Sequence, residues 1–260
     1  MTTPTVRQLF DRKSCTYTYL LVCPKTQDAV LVDPVLECSD RDLEAVSGMR
    51  ANLKLVLNTH VHADHVTGSG KLKASVPGLR SVISEASSAV ADITVKHGDT
   101  ITFGECELQV RSTPGHTPGC VAYVNRDHSF VITGDTLLIR GCGRTDFQGG
   151  DPAVLYDSVL SQIFSLPASA VIWPGHDYSG RTCTTVEEEM ANNPRLSKKK
   201  DEFIDLMKKQ FDGSSYPAMI DQALPANMVC GVFENGLFDT NAVPVKHPGG
   251  FVWIPKDALK

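Results

Sequence analysis

The segment Thr59-His60-Val61-His62-Ala63-Asp64-His65 constrains this chain more than any other. Four side chains able to bind a metal fall within six residues, directly after the apolar run Leu53–Leu57 and just before Gly68. That order predicts a strand-to-helix loop, and ligands converge on loops at strand ends. On an extended segment, alternation would point His60, His62 and Asp64 to one side. Three of the chain's eight histidines sit here, so a plain polar loop is a poor account of it.

Three other segments repeat a pattern of a strand ending in a Gly-flanked ligand. They are Thr113-Pro114-Gly115-His116-Thr117, Thr133-Gly134-Asp135-Thr136 and Trp173-Pro174-Gly175-His176-Asp177. Glycine lets the backbone turn sharply beside the ligand. Each segment alone reads as an ordinary turn. Together with the first cluster they give seven candidate ligands: His60, His62, Asp64, His65, His116, Asp135 and His176. Histidine and carboxylate without cysteine suit zinc, iron or manganese. His97, His128 and His247 lie in turns or the tail and read as surface residues.

The rest of the chain narrows the class. Its 260 residues suit one large domain or two small ones. Hydrophobic residues at 42% and charged residues at 21% are ordinary for a globular chain, which argues against disorder. The net charge is −5 with no basic block, so a nucleic-acid partner has no electrostatic footprint. The apolar runs Tyr19–Cys23 and Ala29–Val32 are far shorter than the ~20 residues of a membrane span. Met1–Phe10 carries one Arg and resembles neither a secretory signal nor an organelle-import peptide. Eight cysteines with no Cys-x-x-Cys motif read as mostly reduced, in an intracellular compartment.

The patterning predicts strands at Thr16–Cys23, Ala29–Val32 and Leu53–Leu57, then at Ser81–Ser84, Thr100–Phe103, Glu107–Ser112, Cys120–Val124, Ser129–Thr133 and Ala170–Trp173. It predicts helices at Asp40–Arg50 with Ser39 as cap, Gly68–Ala74, Pro152–Phe164, Thr184–Asn193 and Ser197–Phe211 with a Ser197 cap. This order fits two sheets covered by helices. Phe233–Lys260, rich in Gly and Pro, is expected to wrap the surface without a core of its own.

The His-x-His-x-Asp-His loop, Pro-Gly-His-Thr, Thr-Gly-Asp and Pro-Gly-His-Asp, in this order, resemble the metallo-β-lactamase superfamily. The resemblance implies an α/β fold, an αββα sandwich of two mixed β-sheets flanked by helices, with metal at one edge between the sheets. In the superfamily pattern, His60, His62 and His116 would form one metal pocket. Asp64, His65 and His176 would form the other, with Asp135 between them.

A narrower resemblance rests on Asp135-Thr136 followed by Leu137-Leu138-Ile139-Arg140-Gly141-Cys142-Gly143-Arg144-Thr145-Asp146-Phe147. It also rests on Thr59–Gly70, Pro114–Cys120, His176-Asp177-Tyr178, Thr185-Val186-Glu187-Glu188-Glu189, Asn193-Pro194-Arg195-Leu196 and Pro225-Ala226-Asn227-Met228. From about Arg7 to Gly231 the chain is similar to the persulfide dioxygenase family. Residues 1–232 would then be one domain with a helical C-terminal part, and 233–260 an extension of unassigned role.

That resemblance implies one Fe(II) per chain, held by His60, His116 and Asp135. His62, Asp64, His65 and His176 would orient waters and ligands around it. It implies oxidation of glutathione persulfide by O2 and water to sulfite and glutathione, in hydrogen sulfide catabolism. Glutathione carries two carboxylates and needs basic anchors. Arg144 is the first candidate, followed by Tyr178 and Arg195. Arg144 in a structural ion pair with Asp146, and Tyr178 as a packed core aromatic, are the competing readings. Cys142 reads by default as a buried structural thiol. The implied location is the mitochondrial matrix in a eukaryote and the cytoplasm in a bacterium, and a homodimer is left open. Two alternatives remain at this point. One is a binuclear glutathione thioester hydrolase of the glyoxalase II type; the other is a non-catalytic, metal-stabilised binding protein.

Overall fold

The computed structural model describes residues 2–233 and the backbone of three later strand segments. Two six-stranded mixed sheets form the framework. The first runs in chain order through β1 (Thr5–Phe10), β2 (Tyr17–Val22), β3 (Asp28–Val32), β4 (Asn52–Leu57), β5 (Arg80–Ser84) and β6 (Ile93–Val95). Its first three strands are antiparallel and β3 to β6 are parallel. The parallel crossovers carry helices α1 (Ser39–Gly48) and α2 (Ser69–Ser75).

The second sheet contains β7 (Thr100–Phe103), β8 (Cys106–Ser112), β9 (Val121–Asn125), β10 (Phe130–Gly134), β11 (Val171–Pro174) and β12 (Thr184–Thr185). Helix α3 (Pro152–Ser158), continued by a π-helical turn at Val159–Ile163, links β10 to its parallel neighbour β11. Helices α4 (Val186–Asn192), α5 (Lys200–Gln210) and α6 (Ile220–Asn227) follow.

Strand alternation explains the layers. On β2, Tyr17, Tyr19 and Leu21 enter the core between the sheets, while Leu20 and Val22 face the layer of α1 and α2. Both faces are covered, so all six residues of β2 are buried and the strand reads as a continuous apolar run. On β9, Val121 and Tyr123 face the inter-sheet core, whereas Ala122 and Val124 pack under α3 and α5. One break in the alternation occurs on β4. Ala29 pairs with Leu53 and Val30 with Leu55, so Lys54 is bulged out. Leu53 therefore joins the helix-side core and Leu55 the inter-sheet core.

The expected elements are present, with several corrections. Ser39 does not cap α1; its hydroxyl donates to the Leu36 carbonyl inside a preceding 3-10 turn. Ser197 likewise caps nothing, because α5 begins at Lys200. The expected helix at Thr184–Asn193 opens as the edge strand β12, and the Thr185 hydroxyl then caps α4 by accepting from Glu188 N–H. Strands β1 and β6 and helix α6 were not expected. β1 is an edge strand of mixed polarity, Thr-Val-Arg-Gln-Leu-Phe, and its order comes from pairing with β2. The last stretch forms strand pairs β13 (Val232–Phe233) with β14 (Gly236–Leu237), and β15 (Ala242–His247) with β16 (Gly250–Pro255). Those strands were not expected either; whether the tail wraps the surface, and the placement of the His247 side chain, lie outside the described residues. No helix among the described residues is long and apolar enough to cross a membrane.

Candidate metal centre

All seven candidate ligands meet at one edge of the sandwich, where strand ends of both sheets come together. His60, His62, Asp64 and His65 follow β4, His116 follows β8, Asp135 follows β10 and His176 follows β11. Tyr17 N–H donates to the Gly175 carbonyl at 2.8 Å and joins the sheets here. Two glycines make the approach possible. Gly134 has φ +51, and a Cβ there would lie 2.4 Å from Thr59 Oγ1. A Cβ at Gly175 would lie 2.5 Å from Asp135 Oδ1, so any side chain would push the carboxylate away.

The ligands fall into two groups. One ligand atom from each of His60, His116 and Asp135 lies within 4.8 Å of the others, and His62, Asp64 and His65 form a second such set. The superfamily pattern pairs His62 with His60 and His116 instead. Although the His60 and His62 rings are only 4.1 Å apart, the ligand atoms divide differently.

Hydrogen bonds aim the first group. His116 Nδ1 donates to the Arg144 carbonyl at 2.6 Å, which leaves Nε2 as the free nitrogen, 3.8 Å from Asp135 Oδ2. His60 Nδ1 lies 3.0 Å from Thr59 Oγ1. Thr59 in turn donates its N–H and hydroxyl to Asp33 at 2.7 and 2.8 Å. Burial, and then the neighbouring His62 and His116, hold His60 well below the usual imidazole range, which favours the neutral ring.

His176 ties the two groups together. Its Nδ1 lies 2.6 Å from Asp135 Oδ1 and its Nε2 2.8 Å from Asp64 Oδ2. Burial alone would lower its pKa, but the two carboxylates raise it well above the ordinary value. The His176 contact holds Asp135 below the carboxylate range, and His65 and then His176 do so for Asp64, against the opposing effect of burial in both. The Thr16 hydroxyl completes the cluster, 3.0 Å from His176 Nε2. His62 Nε2 lies 3.1 Å from Asp33 Oδ1, and Asp33 raises the His62 pKa against burial. His62 Nδ1 and His65 Nε2 are buried without a hydrogen-bond partner.

Beside the metal groups lies a cavity of about 460 Å³, lined in part by Asp135, Arg144, Phe147, Tyr178, Arg195 and Phe211. All three expected substrate contacts face it, in different states. Arg144 makes a two-pronged ion pair with Asp146 at 2.7 and 2.6 Å and sits over the Phe147 ring. Arg195 donates to the Cys142 carbonyl at 2.9 Å, and no carboxylate among the described residues pairs with it. Tyr178 is 74% exposed, so it is not a core aromatic; its ring stacks on His176 with 7° between planes. Cys142 is buried and its thiol is pushed up to about 11 by burial. His97 is exposed, and His128 is half-buried in the β9–β10 turn.

Residue-by-residue reading missed three supports. Asp33 serves both groups through Thr59 and His62, and its signal was an acid at a strand end before Pro34. Thr16 had no signal beyond its position at the start of β2. Asn227 of α6 donates to the His62 and His65 carbonyls, both at 2.8 Å, and accepts from Thr67 N–H. It clamps the histidine loop from 160 residues away in the chain.

Residues 15–78 and 76–176 match the metallo-beta-lactamase superfamily. The chain is 51% identical over 227 residues to "Persulfide dioxygenase ETHE1, mitochondrial" of Homo sapiens, covering 87% of this chain and 89% of the relative. The chain belongs to the persulfide dioxygenase family of that superfamily. The crystal structure of ETHE1 from Myxococcus xanthus agrees, with TM-score 0.83, 46% identity, and coverage of 87% of this chain and 99% of that one. Outside the family, "Hydroxyacylglutathione hydrolase" of Thermosynechococcus vestitus is 34% identical over 186 residues, 70% of this chain and 72% of the relative. The chain therefore carries a family metal-binding site of histidine and aspartate.

Proposed function

We propose that this chain is an Fe(II)-dependent persulfide dioxygenase with one iron per chain. It oxidises glutathione persulfide with O2 and water to sulfite and glutathione, in hydrogen sulfide catabolism. Residues 1–232 carry the activity. The observation that carries the reading is the convergence of His60, His116 and Asp135 in a chain 52% identical to persulfide dioxygenase of Bos taurus. Two histidines and one carboxylate are the donor set of non-haem ferrous oxygenases, which leave positions open for substrates. Bound there, ferrous iron supplies the redox capacity to activate O2. The mitochondrial names of mammalian relatives support a matrix location in a eukaryote, and a bacterial source would place the enzyme in the cytoplasm.

The chain's own residues divide the remaining work. Thr59 and the Arg144 carbonyl fix the His60 and His116 rings, so their free nitrogens point at a common position. His176 occupies Asp135 Oδ1 and leaves Oδ2 on the side of His116. Its ring also lies beside the proposed centre, between Asp135 and Asp64. Arg195 offers a cation that no described carboxylate neutralises, suited to a glutathione carboxylate. Arg144 lends charge and a rigid wall with Phe147, and Tyr178 borders the opening.

A second reading is favoured by the unpartnered His62 Nδ1 and His65 Nε2, which with Asp64 could hold a second ion. That would be a binuclear glutathione thioester hydrolase. Anaerobic reconstitution with Fe(II), followed by O2 uptake and sulfite release from glutathione persulfide, decides between them. Iron-loaded protein that releases no sulfite but cleaves a glutathione thioester would overturn the dioxygenase reading.

A further inference from the structure

Helix α4 carries three acids in a row, and only the last is buried. Val186 and Glu189 lie three apart on the face turned into the protein, both with no exposed surface, while Glu187 and Glu188 are exposed. A carboxylate removed from water is strongly unfavourable unless donors surround it. Four donors surround this one. Oε2 accepts from the Arg140 N–H and from Asn193 Nδ2, both at 2.9 Å. Oε1 accepts from the Thr184 hydroxyl at 2.9 Å and from the Arg140 guanidinium. Glu188 takes the outer side of the same guanidinium.

Arg140 stands at the tip of the loop between β10 and α3. Leu138 and Gly141 exchange both backbone hydrogen bonds at 3.1 Å, so Ile139 and Arg140 form the turn between them. Arg140 has φ +60, a left-handed conformation that favours glycine. Glu189 holds it there through backbone and side chain at once.

The residues that follow are gripped in series. Asn193, itself fully buried, donates to the Gly141 carbonyl at 3.1 Å, and Arg195 donates to the Cys142 carbonyl at 2.9 Å. Asn193 Oδ1 accepts from the Arg195 and Leu196 N–H groups, both at 3.1 Å, and so fixes the backbone from which Arg195 reaches the cavity. Gly143 then lies against the His116 ring, where a Cβ would stand 2.8 Å from Cγ and Nδ1. Arg144 supplies the carbonyl to which His116 Nδ1 donates.

We propose that Glu189 is a positioning residue, which holds the loop from Arg140 to Arg144 in the shape that aims His116 at the metal and Arg195 at the substrate. Residues 140–142 are clamped from the side of α4, and residues 143 and 144 carry the clamp to His116. The choice of iron and glutathione as probes rests on the proposed function; the grip on the loop does not.

The test is Glu189→Gln in the full-length chain. Glutamine keeps the shape but turns one acceptor oxygen into a donor, so one of the paired grips must open. Anaerobic Fe(II) titration against a chromophoric chelator should show a Kd raised about tenfold, the lower end of the range for groups behind a ligand. Calorimetric titration of glutathione into the iron-loaded protein should show a Kd raised about fivefold, roughly the worth of one hydrogen bond, with circular dichroism unchanged. Asn193→Ala cuts the grip on Gly141 and frees the Arg195 backbone; it should raise both constants as well, and it carries the test if Glu189→Gln fails to fold. Leu166→Ala separates aim from stability. Leu166 is buried in the same helix-side core, away from the cavity, so this variant should lose at least as much thermal midpoint while binding Fe(II) and glutathione as the wild type does. Unchanged binding of both ligands in Glu189→Gln would overturn the proposal. So would equal weakening in Leu166→Ala, which would make Glu189 a plain stabilising residue. Iron-loaded wild-type protein that makes no sulfite would count against the proposed function and leave these binding constants to decide the role of Glu189.

Discussion

The two ligand groups differ in what the protein has already done with their spare atoms. In the group of His60, His116 and Asp135, each side chain has one polar atom engaged: His60 by Thr59, His116 by the Arg144 carbonyl, Asp135 by His176. What remains free points inward. In the group of His62, Asp64 and His65, each histidine also has one nitrogen engaged, by Asp33 and by Asp64, and the other buried without a partner, while Asp64 Oδ2 is shared between His65 and His176. His176 itself has a carboxylate on both nitrogens, which raises its pKa well above the ordinary value in the metal-free protein. Ligand residues alone do not make a metal site. The hydrogen bonds behind them decide which atoms are left for the ion.

The largest effects should come from breaking the first group. His60→Ala, His116→Ala and Asp135→Ala should each lose iron and O2 uptake essentially completely, because in the proposed centre only these three protein ligands would hold the ion. Metal analysis beside oxygen consumption measures both. If any of the three retained full iron, the division between the groups would be wrong. Removing His176 is a milder cut. His176→Ala should keep most of the iron while sulfite formation falls by roughly 10- to 100-fold, the usual cost of losing a partner behind a ligand. Loss of about half the metal instead would point to two filled pockets.

The cavity sharpens the comparison further from the metal. Arg195→Ala should raise KM for glutathione persulfide about tenfold with iron intact, since a charge-assisted contact is worth roughly 1.5–3 kcal/mol. Arg144→Ala should raise KM less and lower the thermal midpoint as well, because it leaves Asp146 unpaired. Equal KM with unchanged stability in both variants would remove these arginines from substrate binding.

The smallest effect concerns pH in the metal-free protein. His176 has a raised folded pKa, so its contribution is complete below its unfolded value near 6.5 and is lost as pH rises through the folded value. Asp135 and Asp64 have lowered folded pKa values, so theirs is present above about 3.8 and lost as pH falls below it. Denaturation of the apoprotein should therefore show a maximum between these limits. In His176→Gln the alkaline decline should flatten; an unchanged decline would mean His176 is not held as a cation.

Much of this protein is legible in its chain. The loop from His60 to His65 and the Gly-flanked His116, Asp135 and His176 mark the site, because metal-binding residues at strand ends leave a dense local pattern. The layered fold is legible too, because buried strands such as β2 and β9 are continuous apolar runs. The edges were not. β1 is only half-buried and β12 is two residues long, so both owe their order to a neighbouring strand, and the π-helical turn after α3 has no local mark. Sequence spacing also left the two metal groups undivided. That division rests on Asp33, Thr16, the Arg144 carbonyl and Asn227, residues with no shared motif that meet only when both sheets and α6 are in place. Ligand identity is a local property of the chain. Which ligand atom stays free is set by partners distant in sequence, and packing alone brings those partners together.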